Sequence, residues 1–168
     1  MTMRPKHATF LAALLPLLLV DRVTKALAMA RLAPNIPQDV AGGIVRFTLL
    51  FNRDAAMNIS LGSWSRWGFA TIAVLGVFIM LRQLKLAAPG DRVRALALGL
   101  ITAGAIGNLI DRLRWDRGVI DFIDVGFGNH RFWTFNVADA GVTVGAVMLA
   151  WIFGREHKGR DERRRDEK

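Results

Sequence analysis

Asp121 and Asp139 are the residues of this chain best placed to do chemistry. Asp121 lies in Gly118-Val119-Ile120-Asp121-Phe122, at the close of a charged loop, and Asp139 in Phe135-Asn136-Val137-Ala138-Asp139, at the start of the last apolar run. Two separate segments thus deliver carboxylates to the same expected rim of a membrane. Ionisable groups at membrane depth are costly to keep and read as functional. A converging pair is the minimum equipment for hydrolysis by proton transfer: one carboxylate activates water and the other donates a proton.

Each acid has a competing reading. Asn136 and Asp139 stand three residues apart at a helix start, where Asn-x-x-Asp also serves as a capping box, with Asn136 accepting from the backbone N–H of residue 138 or 139. Asp121 competes with Asp124. In an extended Gly118–Val125 the two point to opposite faces, so only one looks towards Asp139. Flanking Ile120 and Phe122 give Asp121 the more apolar setting, which raises its pKa and makes it the better partner. If the two acids share a site, repulsion keeps one proton bound. The helix dipole then favours Asp139 as the resting base, with Asp121 holding the proton.

The elements that must position these acids are four apolar blocks, Ala8–Val20, Trp67–Leu81, Ala95–Ile110 and Val137–Phe153. Each extends to about twenty residues, enough to cross a bilayer. The expected fold is therefore an all-α polytopic membrane protein with four transmembrane helices, spanning about 8–30, 66–86, 93–112 and 137–154 in a single domain over 1–154. Residues 155–168 form a charged tail. The net charge of +9 is distributed as a topology signal and not as a nucleic-acid patch. Arg4 and Lys6, then Arg82 to Arg94, then Arg155 to Lys168 alternate across the spans, which places both termini and the middle loop in the cytoplasm. Arg31–Arg66 and Asp111–Asn136 are left on the outer face, with tryptophans at the predicted interfaces. Arg4, Lys6 and Ala26-Leu27-Ala28 imitate a cleavable secretory signal, but Asp21, Arg22 and Lys25 intrude where such a signal is free of charge.

The remaining polar residues cluster near the same rim. Asp21 and Lys25 are spaced i, i+4, acid first, either as a plain intrahelical pair or as support for a site. Asn108 shares a helix face with Arg112, and Asp111 at a helix C-terminus opposes the dipole and needs a partner. Gly99, Ala103, Gly104 and Gly107 let another helix approach closely. Ile44–Phe51, the Asn52-Arg53-Asp54 turn and Ala55–Leu61 predict a short sheet or hairpin at the membrane surface. There is no cysteine, and His7, His130 and His157 have no ligand spacing, which excludes disulfides, thiolate chemistry and a His-Glu-x-x-His zinc site. A serine–lysine peptidase using Lys25 with Ser60, Ser63 or Ser65 lacks recognisable spacing. A non-enzymatic scaffold or transporter subunit predicts acids spread along the spans, whereas here they gather at one rim.

Five ordered motifs carry a family likeness: Asp21-Arg22-Val23-Thr24-Lys25, Asn52 with Ala55-Ala56, Gly104 to Arg112, Val119-Ile120-Asp121-Phe122 and Phe135 to Asp139. Over roughly residues 10 to 153 the chain resembles bacterial lipoprotein signal peptidases of type II. The resemblance implies four transmembrane helices with an extracytoplasmic β-cradle in a bacterial inner membrane. It also implies aspartyl endopeptidase cleavage of prolipoprotein signal peptides before a diacylglyceryl-modified cysteine, by a monomer without cofactor or metal. Its catalytic pair falls on Asp121 and Asp139, and its site-lining positions on Asp21, Lys25, Asn52, Asn108, Asp111, Arg112 and Asn136. Membrane lipids and the lipid-modified prolipoprotein are the implied partners. The chain departs from the family pattern at Asp54 and Met57, which stand for Gly and Phe, and in a longer loop at Trp115-Asp116-Arg117.

Overall fold

The computed structural model describes residues 5–54, 62–128 and 130–166. Four helices carry most of the chain: α1 (Pro5–Arg31), α2 (Ser65–Leu86), α3 (Arg92–Arg114) and α4 (Val137–Asp166). Between them lie β1 (Gln38–Ala41), β2 (Val45–Asn52), a short 3-10 turn (Gly62–Trp64), β3 (Val119–Phe127) and β4 (His130–Arg131). The helices α2 and α3, and residues 137–159 of α4, are long and apolar enough to cross a membrane, each with a mean hydropathy of 1.7. The chain is thus an integral membrane protein of mostly helical structure with a small antiparallel sheet. The fourth helix, α1, carries Asp21, Arg22 and Lys25 in its C-terminal half.

The central helix is α3, which packs against each of the other three. Its small residues explain how. A Cβ on Gly104 would overlap the Ala138 carbonyl oxygen and lie 2.6 Å from a Val142 methyl. One on Gly107 would stand 2.6 Å from the Asp21 carboxylate. Backbones that approach this closely exclude lipid and let polar groups on facing helices meet. Below this contact Phe10, Leu14, Leu84, Ala95, Leu98 and Ala103 form an apolar core.

At one end the helices are tied by basic residues. The buried Lys6 ammonium donates to the carbonyls of Lys85 (3.0 Å) and Ala87 (2.5 Å), satisfying the open C-terminus of α2. Arg94 pairs with Asp91 (3.0 Å) and with Glu156 of α4. The sheet caps the other end, in the order β1-β2-β3-β4. Ala28, Leu49, Ile120 and Phe122 make a second core between α1 and the sheet. Phe135 bridges back to Ile123, its carbonyl accepting from Phe122 (3.0 Å) and Ile123 (2.8 Å), so the start of α4 is fastened to β3.

Two elements differ from expectation. The predicted strand over Ile44–Phe51 exists as β2, but its partners are β1 and β3, 69 residues of sequence separating Asn52 from Asp121. The other arm of the predicted hairpin, Ala55–Leu61 with Met57 and Ser60, lies outside the described residues. The tail past residue 154 continues α4 to Asp166. Gly104→Ala is expected to prise α4 from α3 and lose about 1–3 kcal/mol of stability. A lower thermal unfolding midpoint in detergent is the measurement, and an unchanged midpoint would show that the contact tolerates the methyl.

Candidate active site

Asp121 is placed by strand register. It pairs with Leu50 of β2, and the β2–β3 ladder ends at Asn52 opposite Val119. Gly118, at φ +94° and pressed against the Asn52 backbone, supplies a turn that a side chain would block. The Asn52 amide donates to Asp121 Oδ2 (3.2 Å) while its own Oδ1 accepts from the Asp54 backbone N–H (2.9 Å), an Asx turn that orients it. Asn136 Nδ2 donates to Asp121 Oδ1 at 2.6 Å. Burial, reinforced by the nearby Asp139 carboxylate, pushes Asp121 up to about 7, against the opposing pull of the two amide donors. Asp124 is turned to other partners, pairing with Arg131 at 2.7 Å and accepting from Thr48 at 3.4 Å, as the alternation of a strand requires.

Asp139 is placed by a helix start. Its backbone N–H donates to Asn136 Oδ1 (2.9 Å) and its Oδ2 accepts from the Asn136 backbone N–H (3.2 Å). This is a reciprocal capping box, and it fixes the carboxylate in the first turn of α4. The other oxygen accepts from Asn108 Nδ2 at 2.7 Å. Asn136 therefore touches both acids, its side chain holding Asp121 and its backbone holding Asp139. It is fully buried, and Asn108 Oδ1 takes its remaining side-chain donor at 3.2 Å. Capping and convergence of the two acids are one arrangement.

Beneath the amides lies a buried charge cluster. Lys25, fully buried, forms ion pairs with Asp21 (3.0 Å) and Asp111 (2.8 Å) and donates a hydrogen bond to Asn108 Oδ1 (2.9 Å). The other Asp21 oxygen accepts from Ala138 N–H at 3.0 Å, at the N-terminus of α4 where a carboxylate is favoured. Asp111 also takes Arg22 (2.5 Å) and the Ile120 N–H (3.4 Å), which answers why an acid sits at the C-terminus of α3. An ammonium bound between two carboxylates has no lone pair with which to activate a serine. Arg112 donates to the carbonyls of Asn108 (3.4 Å) and Asp54 (3.2 Å), lies 5.7 Å over Phe69, and acts electrostatically on Asp139, Asp121 and Asp111. Arg22, Lys25 and Arg112 thus oppose Asp21, Asp111, Asp121 and Asp139. Three cations face four carboxylates, and a single proton makes the cluster neutral.

Three positioning arginines are invisible in the spacing of the motifs. Arg22 completes Asp111. Arg66 donates to the carbonyls of Arg112 (2.6 Å) and Leu113 (3.1 Å) and pairs with Asp116, so it closes the α3 terminus and docks the longer 113–118 loop. Arg131 pairs with Asp124 and donates to the Gly43 carbonyl (2.7 Å), stapling the β3–β4 corner to the β1–β2 turn. The only advance signal is an unpaired basic residue beside a strand or helix end.

A groove of about 560 Å³ opens beside Asp139, lined by Asn108, Phe132, Trp133, Phe135, Val142 and Val144. Trp133 and Val144 are half exposed, so it faces whatever surrounds the helices. Among the described residues no group of three or more His, Cys, Asp or Glu is arranged to hold a metal ion. The site offers a buried acid, a partly accessible carboxylate and an apolar approach, which suits hydrolysis of an amide on an apolar chain. Lys25→Met should leave Asp21 and Asp111 without their shared cation and cost about 3–5 kcal/mol. Thermal unfolding in detergent reads this, and retention of the wild-type midpoint would contradict the central place given to Lys25.

Comparison with known proteins shows the family. The family described as signal peptidase (SPase) II matches residues 13–154. A lipoprotein signal peptidase of Polynucleobacter necessarius is 35% identical over 144 residues, covering 84% of this chain and 86% of that protein. Its counterpart in Pseudomonas aeruginosa strain UCBPP-PA14 is 38% identical over 142 residues, covering 83% of each. A solved bacterial membrane enzyme shares the fold with a TM-score of 0.81 at 24% identity, over 90% of this chain and 91% of its own. On the extent of the family match and the identity to these relatives, the chain belongs to the signal peptidase II family of proteases.

Proposed function

We propose that this protein is an aspartic endopeptidase that removes the signal peptide from diacylglyceryl-modified prolipoproteins, cutting before the lipidated cysteine. Asp121 and Asp139 are its catalytic pair. The single observation that carries the reading is that one buried residue, Asn136, hydrogen-bonds both acids. The homologues named lipoprotein signal peptidase support the substrate class.

In this mechanism Asp139 takes a proton from water, whose oxygen attacks the scissile carbonyl carbon, while Asp121 gives its proton to the carbonyl oxygen. The resulting gem-diol collapses as Asp139 returns its proton to the amide nitrogen. The C–N bond breaks, a hydroxyl proton goes back to Asp121, and the lipidated cysteine leaves with a free amine. Burial suits Asp121 to the acid role, because it keeps the neutral form available near neutral pH. Lys25, paired with Asp21 and Asp111, holds the Asn108 amide, which with Asn136 aims the two acids. Asn52 orients Asp121, and Arg112 places positive charge where anionic character develops. The apolar groove beside Asp139 accommodates the hydrophobic parts of the substrate.

All four helices cross the bacterial inner membrane in this reading, α1 included, since its Asp21, Arg22 and Lys25 are paired with one another and with Asp111. The end carrying Lys6, Lys85 and Arg94 is cytoplasmic by the positive-inside rule, which sets the sheet and acid pair at the outer leaflet. The protein acts as a monomer among membrane lipids, with no role for nucleic acid.

Purified protein acting on a diacylglyceryl-modified prolipoprotein provides the test. Asp121→Asn and Asp139→Asn should each lower kcat by about 10²–10⁴, and full activity in either would remove that residue from the mechanism. Activity should also fall as pH rises through about 7, where Asp121 loses its proton. Asp124→Asn, whose loss falls on the Arg131 staple, should reduce stability yet keep that pH limb in place.

A further inference from the structure

A second cavity, of about 390 Å³, lies away from the acid pair, between the last turns of α1 and the sheet. Thr24, Leu27, Ala28 and Arg31 line it at the i, i+3, i+4 and i+7 positions of one helix face, and Phe47 and Phe122 close it from the strands. Phe122 follows Asp121 in β3, so the cavity backs onto the opposite face of the strand that carries the buried acid. Its volume falls within the ~300–1,000 Å³ of small-molecule sites. Leu27 is 50% exposed and Phe47 36%, so the cavity opens outward.

The two cavities differ in charge. Beside the acid pair the polar lining is the Asn108 amide, Thr143 and the Asp139 carboxylate, with no cation, a setting for an uncharged chain. Here the one charged group is Arg31, exposed at the C-terminus of α1 and without an ion-pair partner among the described residues. A cation at the mouth of an apolar cavity selects an anion with a hydrocarbon tail. The diacylglyceryl group of a prolipoprotein carries no such anion. In the orientation proposed above, Arg31 stands at the depth of the outer-leaflet phosphates.

We infer that this cavity binds one acyl chain of an anionic phospholipid, whose phosphate is held by Arg31. The bound chain packs on Phe122 and Ala28, each a short step from Asp121 and Lys25, and so fills the space behind the catalytic strand.

Full-length protein in detergent, incubated with equal amounts of phosphatidylglycerol and diacylglycerol of matched chain length, tests this by native mass spectrometry. Wild type is expected to retain phosphatidylglycerol about tenfold more than the diacylglycerol, the scale of one charge-assisted hydrogen-bonded contact. Arg31→Gln should abolish that preference, and Leu27→Trp, which fills the cavity, should reduce retention of both lipids. Arg155→Gln, at the opposite end, should leave the preference intact. Equal retention of both lipids by wild type, or a preference that survives Arg31→Gln, would overturn the assignment. Arg31 is on the surface, so its variant stays informative if Leu27→Trp does not fold. Retention is read without turnover, so the result stands apart from the fate of the protease mechanism.

Discussion

The ammonium of Lys25 is the constraint on which the rest of the site depends. Taking a lysine out of water is unfavourable by several kcal/mol unless every donor is met. Here the charge is met from three directions, by ion pairs with Asp21 of its own helix and Asp111 of α3 and by a hydrogen bond to Asn108 of α3. Asp21 in turn holds the first turn of α4 through Ala138. One cation therefore fixes three helices relative to one another. The missing side chain at Gly107 is what lets the Asp21 carboxylate reach that position. Helix packing and charge pairing are a single arrangement, and the geometry of the acids above is inherited from it.

Amides connect this charged floor to Asp121 and Asp139. A carboxylamide both donates and accepts, so Asn108 can receive from Lys25 and give to Asp139, and Asn136 can accept from the α4 backbone and give to Asp121. Neither adds charge to a cluster whose balance is already one proton short of neutral. A second lysine in place of either amide would discharge the acid pair, and a further carboxylate would repel it. Asparagine is the side chain that orders two acids without deciding which of them is ionised.

Much of the architecture is legible in the residues because it rests on local or periodic physics. Hydropathy locates α2, α3 and most of α4. Asn-x-x-Asp encodes the cap at 136–139, which needs only four consecutive residues. Strand alternation separates the partners of Asp121 from those of Asp124. Contacts made at a distance are not legible. Nothing in Ile44–Phe51 says that its neighbours are β1 and β3, and the irregular register between Phe47 and Leu50 is set by the sheet as a whole. Arg22, Arg66 and Arg131 resemble any surface cation until their carbonyl and carboxylate partners are seen. The helix past residue 154 is hidden for the opposite reason, since a run of mixed charge suits a solvated tail and a solvated helix alike.

Asp21 and Lys25 belong to one helix and can neutralise each other as soon as that helix forms. Arg22 has no such local partner, because Asp111 lies 89 residues further along the chain. The Arg22 ion pair therefore closes only when α3 is in place. The Asp139 segment emerges later still. The joining of Asp121 to Asp139 through Asn136 consequently waits for the first turn of α4.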